Sequence, residues 1–141
     1  MHSPKPRHGK KKNAEFGSDD WIDISVPASD GTGVRPDGKL LKAEFNDLPH
    51  KAGTVSMSRK PNDPDSASCQ FFICVTRIRE LDGQYTVFGH LVGQESFDTL
   101  QKISQVETDD RDRPLHPVYI REMRIENAPS DYNDSQPIVL R

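Results

Sequence analysis

Short stretches of alternating apolar and polar residues are the main pattern in this chain. Alternation predicts half-buried strands, because successive side chains of a strand point to opposite faces. On this basis we predict strands at residues 21–26, 54–58, 68–75, 86–91 and 118–125. In the last of these the alternation changes parity near Arg121 and Glu122, which predicts a bulge there.

Residues 96–104 form the one stretch with helical spacing, since Phe97, Leu100 and Ile103 fall on a single stripe. Proline and glycine, 11 and 9 residues of 141, favour many turns and few long helices. The sequence therefore predicts a mainly β, antiparallel architecture with one late helix, most economically a closed barrel.

The stretch SCQFFICV at residues 68–75 has two faces of different character. Phe71 and Ile73 share one face, which has the composition of a core. Gln70 and Phe72 share the other, where a long amide stands beside a large aromatic ring. We therefore predict that Phe71 and Ile73 are buried and that Gln70 and Phe72 lie on the accessible side. The alternative is that Phe72 merely packs and Gln70 merely caps a sheet edge.

The chain length fits one domain flanked by two polar segments. Residues 1–20 form a basic polar tail, which we expect to be disordered, with a nuclear-targeting or nucleic-acid patch as the alternative. Residues 21–127 form the predicted domain, and residues 128–141 a C-terminal extension.

Composition excludes several classes of function. A net charge of −3 favours neither nucleic acid nor an acidic membrane as a partner of the domain. With no apolar run of membrane-span length and no secretory h-region, we expect a soluble, cytoplasmic protein. The histidines and cysteines have no metal-ligand spacing, and no serine or cysteine lies in a nucleophile elbow. A carboxylate pair stays open among 22 acidic residues, but the sequence indicates chemistry without metal, cofactor or covalent nucleophile.

Three motifs and the helix follow one another in the order found in cyclophilins. The motifs are KAGTVSMS at 51–58, SCQFFICV at 68–75 and LDGQYTVFG at 81–89, and the chain resembles the family over about residues 43–127. The resemblance implies a cyclophilin-like antiparallel β-barrel and peptidyl-prolyl cis-trans isomerase activity, which assists protein folding by rotating X–Pro bonds. Such rotation makes no covalent bond, so the resemblance also implies that no metal or cofactor is needed.

The resemblance implies a set of substrate-binding residues. Phe72 would form the floor of a proline pocket, Leu81 its wall and Tyr85 its rim. Gln70 would bind the substrate backbone, and Ser58 and Arg59 match the family's Ala-Asn pair, whose main chain holds the peptide extended. The expected partners are proline-containing peptides or unfolded protein segments.

Two positions near this site depart from the family pattern. Glu80 stands where many members carry tryptophan, and Tyr85 where many carry histidine. The loop 58–70 is about two residues longer than the family's short form. Because a charged side chain replaces a broad apolar wall, we expect weak or no cyclosporin binding.

The larger departure lies upstream. The family's Phe-His-Arg and Gly-Gly-Asp stretches have no match in residues 1–44, and neither Arg7 nor Arg35 has the sequence context of the arginine thought to hydrogen-bond the prolyl nitrogen. No catalytic residue is therefore assigned. We expect a barrel that is incomplete on its N-terminal side unless residues 15–42 supply substitute strands.

Three hypotheses follow for the function. The first is a peptidyl-prolyl isomerase, weakened by the missing arginine. The second is a non-catalytic proline-peptide binding module of cyclophilin fold, and the third is an unrelated small β protein whose matching motifs are structural.

Overall fold

A four-stranded sheet and one helix make up the regular structure of the chain. The computed structural model describes residues 33–126 and the backbone of residues 21–24. The elements are β1 (Trp21–Ile24), β2 (Thr54–Met57), β3 (Phe71–Cys74), β4 (Val87–His90) and α1 (Gln94–Ser104), with a 3₁₀ turn at Arg79–Leu81. The predicted strands at 21–26, 54–58, 68–75 and 86–91 and the helix at 96–104 are confirmed with shifted ends. The tail 1–20 and the extension 128–141 lie outside the described residues.

The sheet is antiparallel, with strand order β1-β3-β2-β4. Val55 of β2 lies opposite Ile73 of β3, so their side chains share a face. The register of β2 against β4 shifts between Val55 and Ser56. The extra residue on β4 is Phe88, whose side chain is 55% exposed. Since β1 pairs with β3, residues upstream of 43 do contribute a strand to this fold.

One face of the sheet is covered by α1. Val55, Ile73 and Leu100 form a buried apolar cluster, and Ile103 of the helix packs against it. Gly53, at the start of β2, has φ +85°, a left-handed conformation that favours glycine. A β-carbon at this position would lie 2.7 Å from the ring of Phe97, so glycine also allows the helix to approach β2 closely.

The opposite face is covered by the segment that follows β3. Ile78 and Leu81 pack on Phe72 and Cys74, and Tyr85 closes the cluster. The two-face alternation of β3 is therefore confirmed, but the prediction that Phe72 is accessible is wrong.

Phe72 is only 4% exposed, because the chain folds back over its face through the 3₁₀ turn. Phe71, predicted to be buried, is half-buried, and so is Gln70. Strand periodicity separates two faces, but it cannot tell which face a later segment will cover.

The predicted last strand and closed barrel are not formed in the part of the chain that the structure describes. Residues 118–125 have no strand conformation there, and Val118, Tyr119 and Ile125 are exposed. Their alternation is a sequence pattern without a pairing strand among residues 33–126. No helix within the described residues has the length and apolar character needed to cross a membrane.

Candidate functional site

Three aromatic rings meet on the face of the sheet opposite α1. The Phe72 and Tyr85 centroids are 5.6 Å apart with the planes at 84°, and His50 stacks on Phe72 at 6.0 Å and 15°. His50 also meets Tyr85 edge-on at 6.4 Å. Leu81 is buried against the same group. These four residues are called the ring cluster below.

Local turn chemistry places two members of the ring cluster. The backbone carbonyl of Leu81 accepts the N–H of Gln84 at 3.0 Å and of Tyr85 at 3.2 Å. Gly83 has φ +69°, which the tight turn needs and which glycine adopts at little cost. The turn at Asp82-Gly83 thus brings Leu81 and Tyr85 onto Phe72.

His50 is held at both ring nitrogens although its side chain is completely buried. Nδ1 lies 3.1 Å from Oδ1 of Asp82, and Nε2 lies 3.0 Å from Oγ of Ser56. The same Asp82 oxygen accepts the His50 backbone N–H at 2.8 Å. Arg77 makes a two-nitrogen ion pair with Asp82 and donates to the His50 carbonyl at 3.0 Å. The ring cluster therefore rests on a polar network.

Hydrogen-bond donors in this network fix the tautomer of a neutral His50. Since the Asp82 carboxylate can only accept, Nδ1 carries the proton, and Nε2 must accept the Ser56 hydroxyl proton. Ser56 Oγ also lies 3.0 Å from the Thr86 carbonyl, but one hydroxyl has one proton. Thr86 is still satisfied, because the Met57 N–H donates to its carbonyl at 3.0 Å. The neutral network leaves none of these groups without a partner.

Burial and charge set the protonation states. Burial lowers the pKa of His50, against the opposing influence of Asp82. The guanidinium of Arg77 holds the pKa of Asp82 well below its usual range, and Asp82 in turn raises the pKa of Arg77. At neutral pH the network is therefore a neutral imidazole beside a carboxylate that Arg77 balances.

Arg59 lies over the ring cluster from the loop after β2. Its guanidinium carbon is 4.5 Å from the Tyr85 centroid, within cation–π range. Nε donates to the Gln84 carbonyl at 2.9 Å, and Nη1 to the carbonyls of Lys60 and Pro61 at 3.1 and 3.2 Å. A cation is thus fixed at the rim of an aromatic group.

The remaining predicted site residues join this region through the backbone. The Ser58 N–H donates to the Gln70 carbonyl at 3.0 Å. The Gln70 side-chain amide donates to the Gly33 carbonyl at 3.4 Å, so it contacts an upstream segment. Of the six predicted site residues, the structure brings Arg59, Phe72, Leu81 and Tyr85 into one cluster of contacts, and it pairs Ser58 with Gln70 through the backbone.

Sequence reasoning missed the network beneath the rings. His50 and Asp82 are 32 residues apart, and no spacing rule for metals or catalytic groups joins them. The available signal was weak: a histidine in the segment that precedes the predicted strand at 54–58, and an aspartate directly followed by glycine. The guanidinium of Arg59 was missed as well, since the resemblance attributes the role at that position to the main chain.

Arg35, the upstream arginine within the described residues, makes its hydrogen bonds outside the ring cluster. The Arg35 guanidinium pairs with Asp37 at 2.7 Å, and its backbone N–H donates to Ser68 Oγ at 2.8 Å. Arg7 lies outside the described residues. Among those residues, no group of three His, Cys, Asp or Glu side chains is arranged to hold a metal ion.

Comparison with protein families gives a match over most of the chain. Residues 11–125 match the family model described as cyclophilin type peptidyl-prolyl cis-trans isomerase/CLD. The match begins well upstream of residue 43, where the motif resemblance starts.

Similar proteins carry related names. Peptidyl-prolyl cis-trans isomerase-like 4 of Cryptococcus neoformans is 38% identical over 110 residues, covering 76% of this chain and 21% of that protein. A peptidyl-prolyl cis-trans isomerase of Helicobacter pylori is 38% identical over 77 residues, covering 53% of this chain and 46% of that protein. The chain spans between 21% and 47% of the length of such curated relatives.

A solved structure shares the fold. The cyclophilin type isomerase of Cryptosporidium parvum, crystallised in the presence of the dipeptide Ala-Pro, superposes with a TM-score of 0.60 at 23% identity. The superposition covers 80% of this chain and 67% of that one. The open sheet and helix described above therefore have a cyclophilin-like arrangement.

Proposed function

This chain belongs to the cyclophilin-type peptidyl-prolyl cis-trans isomerase family, and from that premise we propose that it binds proline-containing peptides and isomerises X–Pro bonds at a reduced rate. The observation that carries the proposal is the ring cluster beside the Ser58–Gln70 backbone contact. Its aromatic and aliphatic surface suits a proline ring. The Ala-Pro dipeptide present with the Cryptosporidium relative supports the same class of ligand.

The exposure of each side chain in the ring cluster decides the role that we propose for it. Phe72 and Leu81 are buried, so they form the backing of the site. Tyr85 is half-buried, and we propose that its accessible part contacts the proline ring. Gln70 and the main chain at Ser58 lie beside the path that an extended peptide would follow.

Isomerisation at such a site needs differential binding rather than covalent chemistry. Twisting an X–Pro bond removes amide resonance, which sets a barrier of about 20 kcal/mol. A surface that desolvates the bond and binds the twisted form more tightly than the planar forms lowers that barrier. The apolar ring cluster provides the desolvation.

We propose a low rate because no residue has been identified that would donate a hydrogen bond to the twisted amide in the transition state. Loss of one transition-state hydrogen-bond donor costs about 10²–10³ in rate in other enzymes. The second candidate, a binding module without turnover, draws support from the same observation, since Arg35 is paired with Asp37. Both candidates predict binding, and only the first predicts catalysis.

A protease-coupled isomerisation assay on the 141-residue chain tests the proposal. We expect a rate above the uncatalysed one yet about 10²–10³ below that of a complete cyclophilin. The Leu81→Ala variant, with its stability checked by denaturation, is expected to lose this activity. Peptide binding without any rate enhancement would select the binding module, and neither binding nor turnover would refute both.

Cyclosporin provides a separate test of the rim. Glu80 is exposed at the 3₁₀ turn next to Leu81, where the family resemblance puts a tryptophan. We expect weak or no cyclosporin binding by calorimetric titration, and tighter binding by Glu80→Trp, because the indole adds an apolar wall and a donor. Tight binding by the unmodified chain would contradict this assignment of Glu80.

A further inference from the structure

We propose that Arg59 is a specificity-determining residue that makes this site prefer proline peptides with an anionic side chain, carboxylate or phosphate, within two residues of the proline. The inference rests on the proposed proline-peptide site and names its substrate class. The side chain of Arg59 provides this preference, whereas the family resemblance attributes the role at this position to the main chain.

The guanidinium of Arg59 is held in one place by neutral groups. Three backbone carbonyls, those of Gln84, Lys60 and Pro61, accept its Nε and Nη1 protons at 2.9–3.2 Å, and the Tyr85 ring lies 4.5 Å below it. Arginine normally loses rotamer freedom when it binds a ligand. Here that freedom is already restricted before any ligand arrives, which favours binding.

The positive charge of Arg59 is not neutralised within the described part of the chain. The ion pairs there join Arg35 to Asp37, Arg77 to Asp82 and Arg124 to Glu122, and none includes Arg59.

Acidic side chains in the loop after β2 are engaged elsewhere. Asp65 accepts the Ala43 N–H at 2.8 Å, and Asp63 accepts the Asp65 N–H at 3.0 Å. Carbonyl dipoles stabilise the guanidinium of Arg59 but leave its full charge available to an anion.

One end of the guanidinium remains able to donate. Nε and Nη1 make the three carbonyl contacts, and among residues 33–126 none accepts from Nη2. A carboxylate or phosphate oxygen that reached Nη2 would form a charge-assisted hydrogen bond. Because Arg59 is half-buried, water screens this bond less than at a fully exposed site.

Distances within the ring cluster limit where the anion can lie. The guanidinium carbon of Arg59 lies 4.5 Å from the Tyr85 ring centroid. The Tyr85 centroid in turn lies 5.6 Å from that of Phe72, which forms the buried backing of the proposed proline site. An extended peptide advances about 3.3 Å per residue. An acidic side chain one or two residues from the proline can therefore reach Arg59, whereas a more distant one cannot.

The test compares matched peptides on the full chain. Dissociation constants are measured by calorimetry for peptides with Xaa one or two residues before or after the proline: acetyl-Xaa-Ala-Pro-Phe-amide, acetyl-Ala-Xaa-Pro-Phe-amide, acetyl-Ala-Ala-Pro-Xaa-amide and acetyl-Ala-Ala-Pro-Phe-Xaa-amide. Xaa is Gln, Glu, Ser or phosphoserine. We expect Glu to bind about threefold to tenfold tighter than Gln at one or more of these positions, and phosphoserine to exceed Ser by more. High salt should reduce both preferences, since the contact is between charges. The Glu and phosphoserine peptides separate the two sources of anion.

Three variants assign the preference to Arg59. Arg59→Gln should reduce the Glu-to-Gln ratio to about one, and Arg59→Lys should retain part of it, because a point charge remains without the planar fork. Lys102→Gln on α1 removes the same charge from the opposite face and should keep the full ratio. Circular dichroism confirms that each variant is folded.

The outcomes separate this inference from the proposed function. Binding of the neutral Gln peptide with no preference for Glu or phosphoserine overturns the role of Arg59 and leaves the proposed function standing. Absence of binding to every peptide overturns both. A preference that persists in Arg59→Gln, or disappears in Lys102→Gln, also refutes the role of Arg59.

Discussion

The two faces of the four-stranded sheet differ in the side chains that pack on them. The face under α1 is an apolar cluster of Val55, Ile73 and Leu100, which packing alone explains. The opposite face joins the side chains of Phe72, Leu81 and Tyr85 to His50, Asp82 and other polar groups, with the imidazole completely buried. Both faces are covered, but only the face opposite α1 combines aromatic rings with the hydrogen-bonded network around His50.

This difference supports the proposal that the ring face is the functional one. Burying a polar group costs free energy unless it is hydrogen-bonded, and here each ring nitrogen of His50 has a partner. Such networks contribute little net stability, since well-packed apolar residues often serve equally well. What the network provides is a fixed position for the rings above it. We therefore expect the helix-covered face to govern stability alone and the ring face to govern both stability and ligand binding.

Alanine substitution in each face gives the largest expected effect. Phe72→Ala removes a buried ring and should lower the free energy of unfolding by about 3–5 kcal/mol, and Leu100→Ala should lower it by about 2–5 kcal/mol. When only the folded molecules of each variant are considered, Phe72→Ala should also bind proline peptides more weakly, whereas Leu100→Ala should not. Chemical denaturation and peptide titration measure the two effects.

The same two variants can also contradict the proposed difference between the two faces. A loss of peptide affinity in Leu100→Ala equal to that in Phe72→Ala would mean that binding follows global stability and not the ring face. Little loss of stability in Phe72→Ala would show that its ring contacts ligand more than core, despite its burial.

Sequence periodicity was sufficient to locate the strands and the helix of the sheet region, but not to predict which side chains a later segment of the chain buries. Alternation located β2, β3 and β4, and helical spacing located α1, because each depends on neighbours within a few residues. The exposure of Phe72 depends on the turn at Arg79–Leu81, which folds back over its face. No local pattern encodes that return.

The candidate site was predictable only in part for the same reason. The six predicted residues lie in or directly after three motifs with recognisable turn and strand patterns. The His50–Asp82 contact and the Arg59–Tyr85 stack join residues from separate loops, so neither has a local signature. The alternation at residues 118–125 shows the opposite failure, since the pattern exists without a strand.

A glycine substitution on each face should have a smaller effect. Gly53→Ala introduces strain at φ +85° and places a β-carbon 2.7 Å from the Phe97 ring, whereas Gly83→Ala at φ +69° meets no atom within 4 Å. We expect Gly83→Ala to cost about 1–2 kcal/mol from backbone strain and Gly53→Ala about 1 kcal/mol more, because the contacted atoms are at the far end of the Phe97 side chain. Thermal or chemical denaturation checks both. Equal costs would mean that Phe97 moves aside freely and that α1 is loosely packed on its face.

The smallest expected effect is a pH dependence that belongs to the ring face alone. Burial lowers the pKa of His50 from 6.5, so the unfolded chain takes up a proton at a pH where the folded chain does not. Stability from this group is therefore present above 6.5 and is lost as the pH falls below it. Asp82, whose pKa is also lowered, acts in the same direction but only below its usual value of 3.8.

Denaturation midpoints measured from about pH 8 to about pH 5 thus isolate the imidazole. We expect stability to fall with acidification, the slope to vanish in His50→Gln, and the exposed His116→Gln to keep it. If His50→Gln fails to fold, an NMR titration of the His50 ring in the intact protein gives the same information. Stability that rises on acidification, or a His50 ring that titrates above 6.5, would mean that Asp82 outweighs burial and that the imidazole beneath Phe72 is charged in the native state.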